Sequence, residues 1–254
     1  MAIDYSLFPY TYIEKLKLTR PDTVFEAYLC ISNHPFLDLK EKREQFLHPE
    51  ELAYFDSLRF ERRQKSFLLG RYCAKQAISK YLGDSGEMTQ FAIRHGVFEH
   101  PIIKNVLNKD VQISISHNDE FGGAIAFPEE HPMAIDLEKI NPKRTEVIQT
   151  QCTQDELRLI QSSQIPDMTQ MTILWTVKES LSKVLKCGLM TPFKVFEVKD
   201  LASKSDCFVW TFKKFAQYKA MSFIISNTAC SIVMPKNTEM LIHVKELKEL
   251  FKSK

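Results

Sequence analysis

The chain has 254 residues, enough for one large domain or two of roughly 100–150 residues. Its composition is that of an ordinary globular protein, and a net charge of +2 argues against a general binder of nucleic acid or membrane surfaces. No apolar run approaches the ~20 residues of a membrane span. The N-terminus, MAIDYSLFPYTYIEKL, lacks a basic segment followed by an apolar one, so no signal peptide is expected. Cys30, Cys73, Cys152, Cys187, Cys207 and Cys230 form no CxxC and no Cys/His zinc spacing, and reduced thiols in a cytoplasmic protein are expected.

Val24 to Ile31 (VFEAYLCI) reads as a strand. Pro49, Glu50 and Glu51 open a helix, with the proline in its first turn and the acids favoured there by the helix dipole. Leu52, Phe55 and Leu58 give that helix an apolar side. A second helical pattern runs from Arg59 to Leu82, with a buried stripe that includes Phe67, Leu68, Ala74 and Ile78. Arg62, Arg63, Lys65, Arg71 and Lys75 make the same stretch basic. Such a cluster is either a solvated face or an anion site, where guanidinium groups grip phosphate oxygens in pairs and lysines add point charges. Gly70 costs this helix about 1 kcal/mol against alanine. Close approach of another element or of a ligand would explain it.

A loop with Gly83 and Gly86 follows, then Phe91 to Arg94 and the stretch His95 to Ile103. In Val111 to His117 (VQISISH), Ile113 and Ile115 alternate with Ser114 and Ser116, the pattern of a half-buried strand. His117 ends it beside the turn Asn118-Asp119-Glu120. It is either simply exposed there or placed to donate to a phosphate oxygen. Gly122 to Phe127 is a short returning strand. Pro128 to Pro132 (PEEHP) marks the expected boundary between an N-terminal half, 1–128, and a C-terminal half, 129–254.

In Met133 to Ile140 (MAIDLEKI), Ile135 and Leu137 point one way and Asp136 and Glu138 the other. Two carboxylates on one strand face repel each other. Either the face is solvent-exposed or a hard cation such as Mg²⁺ makes use of the repulsion. Thr153 to Glu156 is a capping box that opens a helix carrying Leu157 and Ile160. The polar segment Gln161 to Gln170 separates it from Trp175 to Lys183 (WTVKESLSK). There Glu179 and Lys183 are four residues apart and share a helix face, with Trp175 one turn earlier. Alone, such a pair is ordinary surface decoration. Gly188 is the expected helix stop. Strand-like stretches follow at Pro192 to Val198, Phe208 to Phe215, Ala220 to Ser226 and Ala229 to Met234, and the end (HVKELKELFKSK) is a short amphipathic helix or a frayed tail. Both halves run from helix to strands, a hint of duplication.

Three motifs thus stand in order: GRYCAK with its upstream basic residues, ISISH followed by AIDLE, and WTVKESLSK. Together they resemble the surfactin-type 4′-phosphopantetheinyl transferases, whose hallmarks are a (V/I)GIDIE-like strand after an SH-type strand end and a WxxKEAxxK-like helix. Lys186 to Leu189 is similar to that family's GxGL-like turn, and Tyr218-Lys219-Ala220 to a strand near its C-terminus. The resemblance covers about residues 49 to 225. Ala134 replaces the glycine of GIDIE, and Glu99-His100-Pro101 stands where the family has a Gly-Lys-Pro or Gly-Arg-Pro loop.

The resemblance implies an α/β fold built as a pseudodimer, two similar halves of one monomeric chain with the active site between them. Coenzyme A would lie there, its 3′-phosphate near Arg62, Arg63, Lys65, Arg71 and Lys75, with His100 in the family's cation position. Its pyrophosphate would meet Ser116, His117, Lys178 and Lys183, and Asp136, Glu138 and Glu179 would hold Mg²⁺. Glu179 and Lys183 would carry the transfer of 4′-phosphopantetheine to a serine of an apo acyl or peptidyl carrier protein. Two other readings compete: a Mg²⁺-dependent phosphoesterase acting on pyrophosphates like that of coenzyme A, and a carrier-binding module without chemistry.

Overall fold

The structure, a computed structural model, describes residues 10–83, 87–104, 110–161, 166–204 and 206–252. Gly86, part of the polar segment within 161–170, the last two residues and most of the stretch read for a leader lie outside that set. The first half contains strands β1 (Thr11–Thr19) and β2 (Val24–Ser32), helices α1 (Phe36–Glu41), α2 (Pro49–Ser57) and α3 (Glu61–Tyr81), and strands β3 (Ala92–His95), β4 (Pro101–Lys104), β5 (Val111–His117) and β6 (Gly122–Pro128). The second contains β7 (Ala134–Lys139), helices α4 (Thr145–Thr150), α5 (Gln154–Gln161) and α6 (Asp167–Val184), and strands β8 (Val198–Lys204), β9 (Cys207–Phe212), β10 (Tyr218–Ile225) and β11 (Thr228–Pro235). Strand β12 (Glu239–Met240) and helix α7 (Val244–Leu250) end the chain. Among the described residues, no helix is long and apolar enough to cross a membrane.

Strands with apolar residues on both faces need cover on both sides, and this decides the layers. The first sheet runs β12-β1-β2-β6-β5 and the second β7-β11-β10-β9-β8, while β3 and β4 form a separate hairpin. Leu29, Ile31 and Ile125 of the first sheet meet Ile135, Phe223 and Ile232 of the second in a shared core. On its other face the first sheet carries small residues, Cys30, Ala124 and Ala126, against Ala74, Ala77 and Ile78 of α3. The second sheet packs Ala220 and Val233 against Leu174, Val177 and Leu181 of α6. The order is helix, sheet, sheet, helix, an α/β fold of two similar halves.

The similarity extends to individual side chains. Within the sheets β2-β6-β5 corresponds to β7-β11-β10: in each half the strand that precedes its helices lies beside a later strand, which lies beside the strand just before it in sequence. In the first half Glu51 accepts the His48 N–H at 3.0 Å, accepts the Ile93 N–H at 3.0 Å and pairs with Lys75 at 2.8 Å. In the second, Glu156 accepts the Thr153 N–H at 2.8 Å, accepts the Val198 N–H at 3.0 Å and pairs with Lys178 at 2.7 Å. Each glutamate grips a strand residue 42 positions downstream. One capping carboxylate in each half thus ties a short helix, the long helix and the next strand.

Four elements differ from the sequence reading. The alternation in β1 is plain, with Tyr12, Leu16 and Leu18 buried and Lys15 and Lys17 exposed, where the sequence reading places no strand. Helix α6 begins at Asp167, so the polar segment is partly its first turns. Phe193–Phe196 is a 3-10 turn rather than a strand, because Phe193 stacks on Trp175 with ring centres 4.4 Å apart. Lys186, not Gly188, closes α6 in the left-handed region at φ 53°, with the Cys187 N–H donating to Ser182 O and the Lys186 N–H to Lys183 O.

The fit of α3 on β6 depends on Gly122. A Cβ there would sit 2.8 Å from the backbone oxygen of Leu69 and 3.0 Å from Cys73 Sγ. Gly122→Ala is expected to push helix from sheet and cost about 1–3 kcal/mol, read as a lower urea midpoint.

Candidate active site

Strands β5 and β7 are the facing edges of the two sheets, and they join through hydroxyls in place of a backbone ladder. The Ile135 N–H donates to Ser114 Oγ and the Leu137 N–H to Ser116 Oγ, both at 3.1 Å. Ser116 in turn donates to Asp136 Oδ1 at 2.8 Å. What the alternation presents as the polar face of a half-buried strand is therefore a buried seam between the halves. Lys183 closes it: its Nζ donates to Ile115 O at 3.2 Å, Ile135 O at 3.0 Å and Asp136 Oδ1 at 2.8 Å.

An open cavity of about 870 Å³ lies over this seam, within the ~300–1,000 Å³ common for ligand sites. Arg62, Arg63, Arg71 and His117 line it from the first half. Asp136, Glu138, Glu179 and Lys183 line it from the second. Gly70 is explained here: a Cβ would come 3.1 Å from His117 Cδ2, so the glycine lets the end of β5 close on α3. The His117 ring is open to the cleft, but the surrounding protein and then the charges of Lys183 and Arg71 lower its pKa.

The three acids crowd one another. Asp136 is 5% exposed, and its Oδ2 has no hydrogen-bond partner. Burial, then the Asp136 charge, pushes Glu179 up to about 7, against the pull of Lys183 and the Ser182 hydroxyl. Burial and Asp136 also raise Glu138, which Arg144 Nη1 holds at 2.6 Å. Among the described residues no three of His, Cys, Asp or Glu stand grouped as metal ligands. Each acid is engaged with protein instead: Asp136 with Lys183 and Ser116, Glu138 with Arg144, and Glu179 with Ser182.

Other expected residues fall elsewhere. Lys75 is fully buried; besides Glu51 it donates to Met88 O at 2.7 Å and to Phe91 O, so its charge is spent inside the first half. Lys178, 1% exposed, is likewise held by Glu156 and by Gln151 O at 3.2 Å. Neither lines the cleft, and both are corrected from phosphate contacts to core ion pairs. Arg71 reaches the cleft but is 7% exposed; it donates to Ile93 O at 3.1 Å and lies 3.3 Å from Glu51. Arg62 is exposed and paired with Asp119 at 3.1 Å, Arg63 lines the cavity, and Lys65 does not line it. His100 lines a neighbouring cavity of about 260 Å³ that Glu179 and Lys183 also border. Arg144 was missed. Its signal is the basic pair Lys143-Arg144 after Pro142, following a strand with two acids, a charge reversal across a turn rather than a helical spacing.

Residues 132–233 match the family model described as the 4′-phosphopantetheinyl transferase superfamily. The chain is 32% identical over 92 residues to a holo-[acyl-carrier-protein] synthase of Mycoplasma mycoides subsp. mycoides SC, spanning 35% of this chain and 82% of that protein. It is 29% identical over 94 residues to the 4′-phosphopantetheinyl transferase gsp of Aneurinibacillus migulanus, spanning 37% of this chain and only 39% of that relative. Among solved structures, a holo-(acyl-carrier-protein) synthase from Bacillus anthracis str. Ames in complex with CoA (3′,5′-ADP) aligns at 22% identity and TM-score 0.36, over 44% of this chain and 96% of that one. At that score the likeness carries no weight.

Removing one member of a buried ion pair strands the other. Lys178→Ala is expected to lower unfolding free energy by about 3–5 kcal/mol, read as a fall in the urea midpoint. A stable variant with only weakened coenzyme A binding would return Lys178 to the cleft.

Proposed function

The chain belongs to the 4′-phosphopantetheinyl transferase superfamily, and we propose that it moves the 4′-phosphopantetheine group of coenzyme A onto a serine hydroxyl of an apo acyl or peptidyl carrier protein, releasing 3′,5′-ADP. The observation that carries this reading is the cleft itself, with arginines on one wall and Asp136, Glu138, Glu179 and Lys183 on the other. Both walls come from one chain, which supports the surfactin-type, monomeric reading. The division falls at 128/129: residues 1–128 supply the cationic wall and 129–254 the acids. The site is taken to work in the cytoplasm.

The problem in this reaction is charge, since an oxygen nucleophile must approach an anionic pyrophosphate. Arg62 and Arg63 at the rim and Arg71 at the floor offer the coenzyme A phosphates a positive wall. His117 offers a ring N–H to a phosphate oxygen. The serine oxygen bonds to the β-phosphorus as the bond from that phosphorus to the bridging oxygen breaks. Glu179, on the cleft wall beside Asp136 and Lys183, is the group placed to accept the serine proton, directly or through a water. Lys183 has its three N–H groups engaged, so binding the leaving phosphate oxygen exchanges for one of those bonds.

The donor chemistry suits a hard divalent cation, although as they stand the three acids are not grouped as ligands. Asp136 keeps a buried oxygen without a partner, and the mutual repulsion of three carboxylates is relieved by positive charge. Asp136, Glu138 and Glu179 would hold Mg²⁺, which when bound supplies charge neutralisation to the pyrophosphate.

The test is intact mass spectrometry of an apo carrier protein incubated with the chain, coenzyme A and Mg²⁺. The native chain is expected to add one phosphopantetheine, and EDTA to prevent it. Asp136→Ala and Glu179→Ala are each expected to cut the rate by about 10²-fold or more, Glu179→Ala with an unchanged urea midpoint and Asp136→Ala with a lowered one, since it takes a partner from Lys183. Near-native transfer by both would sink the site assignment. Free phosphopantetheine released without carrier would mark a hydrolase instead.

A further inference from the structure

We infer that Arg144 is an exchangeable counter-ion: it holds Glu138 at the mouth of the cleft and yields it to a divalent cation, while the Trp175 ring retains the released guanidinium. The inference rests on the metal reading above and assigns a positioning role that none of the three motifs contains.

Arg144 lies six residues after Glu138, at the end of the 3-10 turn Pro142–Arg144. Asn141 Oδ1 accepts the Lys143 N–H at 3.0 Å and fixes that turn, which brings the arginine back over β7. Its contact with Glu138 is a single bond from Nη1 to Oε2 at 2.6 Å, although a guanidinium can make a paired contact. The Arg144 side chain is 43% exposed and that of Glu138 24%, so solvent screens the pair. Asp136, by contrast, is buried and held by Lys183 and Ser116, with Oδ2 left over. A cation seated on Asp136 Oδ2 and Glu138 meets a competitor in Arg144, which cannot lose its proton. Lys139, next to Glu138 in sequence, is committed to Glu120.

The guanidinium has a second resting place. Its carbon lies 5.7 Å from the centre of the Trp175 ring, within cation–π range. That ring is fixed by its stack on Phe193, at 4.4 Å and 16° between planes. Arg144 thus has one contact to give up and one to keep.

The competition is measurable without turnover. Mg²⁺ is titrated at constant ionic strength into the full chain by calorimetry, and into a Trp210→Phe background by fluorescence, so that Trp175 alone reports. Native Arg144 is expected to give a saturable change in Trp175 emission. In Arg144→Gln, Mg²⁺ is expected to bind about twofold to fivefold more tightly, the scale of a screened ion pair, and the emission change to shrink. Arg144→Lys keeps the charge and is expected to stay near native affinity. Unchanged or weaker Mg²⁺ binding by Arg144→Gln overturns the inference and leaves the metal reading standing. No Mg²⁺ binding by the native chain, seen by calorimetry, overturns both.

Discussion

A single ammonium group sits where the two sheets meet and is bonded from both. Lys183 Nζ, on the long helix of the second half, reaches a carbonyl of β5, a carbonyl of β7 and the Asp136 carboxylate. The edges beside it are stitched by Ser114 and Ser116. Taking a lysine partly out of water is unfavourable unless its donors are satisfied, and the seam satisfies all three. Beside it Asp136 keeps a spare oxygen, and burial and then the Asp136 charge raise Glu138 and Glu179 against the pull of Lys183. The contact that holds the halves in register therefore lies inside the acid cluster and partly offsets its repulsion.

Behind the seam, each half is locked by its own buried glutamate and lysine. A buried pair is weak evidence for net stability, but losing one partner is costly, so such pairs tie the layers together in one arrangement. Recurrence of the same capping carboxylate, lysine and strand amide at matching places points to duplication of one ancestral unit. The halves have diverged in what they present: α3 sends Arg63 and Arg71 toward the cavity, whereas α6 sends Glu179 and Lys183.

Much of this was legible in the sequence because local periodicity and burial agree. The faces of β7 divide as alternation requires, with Ile135 and Leu137 in the shared core and Asp136 and Glu138 in the cleft. Gly70 was read as a sign of close approach, and His117 is what approaches. The lysines were the hard cases. Spacing puts Lys75 and Lys178 on a helix, but only tertiary packing decides that each finds a carboxylate 24 or 22 residues upstream, rather than a ligand. Arg144 was illegible for the related reason that its partner lies across a turn, where no helix or strand period applies. Likewise Phe193–Phe196 carries strand-like composition, and its ring stacking overrides that preference.

The central claim is that coenzyme A binds in one cleft built from both halves. Hydrogen exchange read by mass spectrometry, with and without coenzyme A and Mg²⁺, tests it most directly. The account predicts added protection in both halves at once, around residues 61–71 and 115–119 in the first and 134–144 and 175–183 in the second. Protection confined to one half, or none at 134–144 and 175–183, would contradict it.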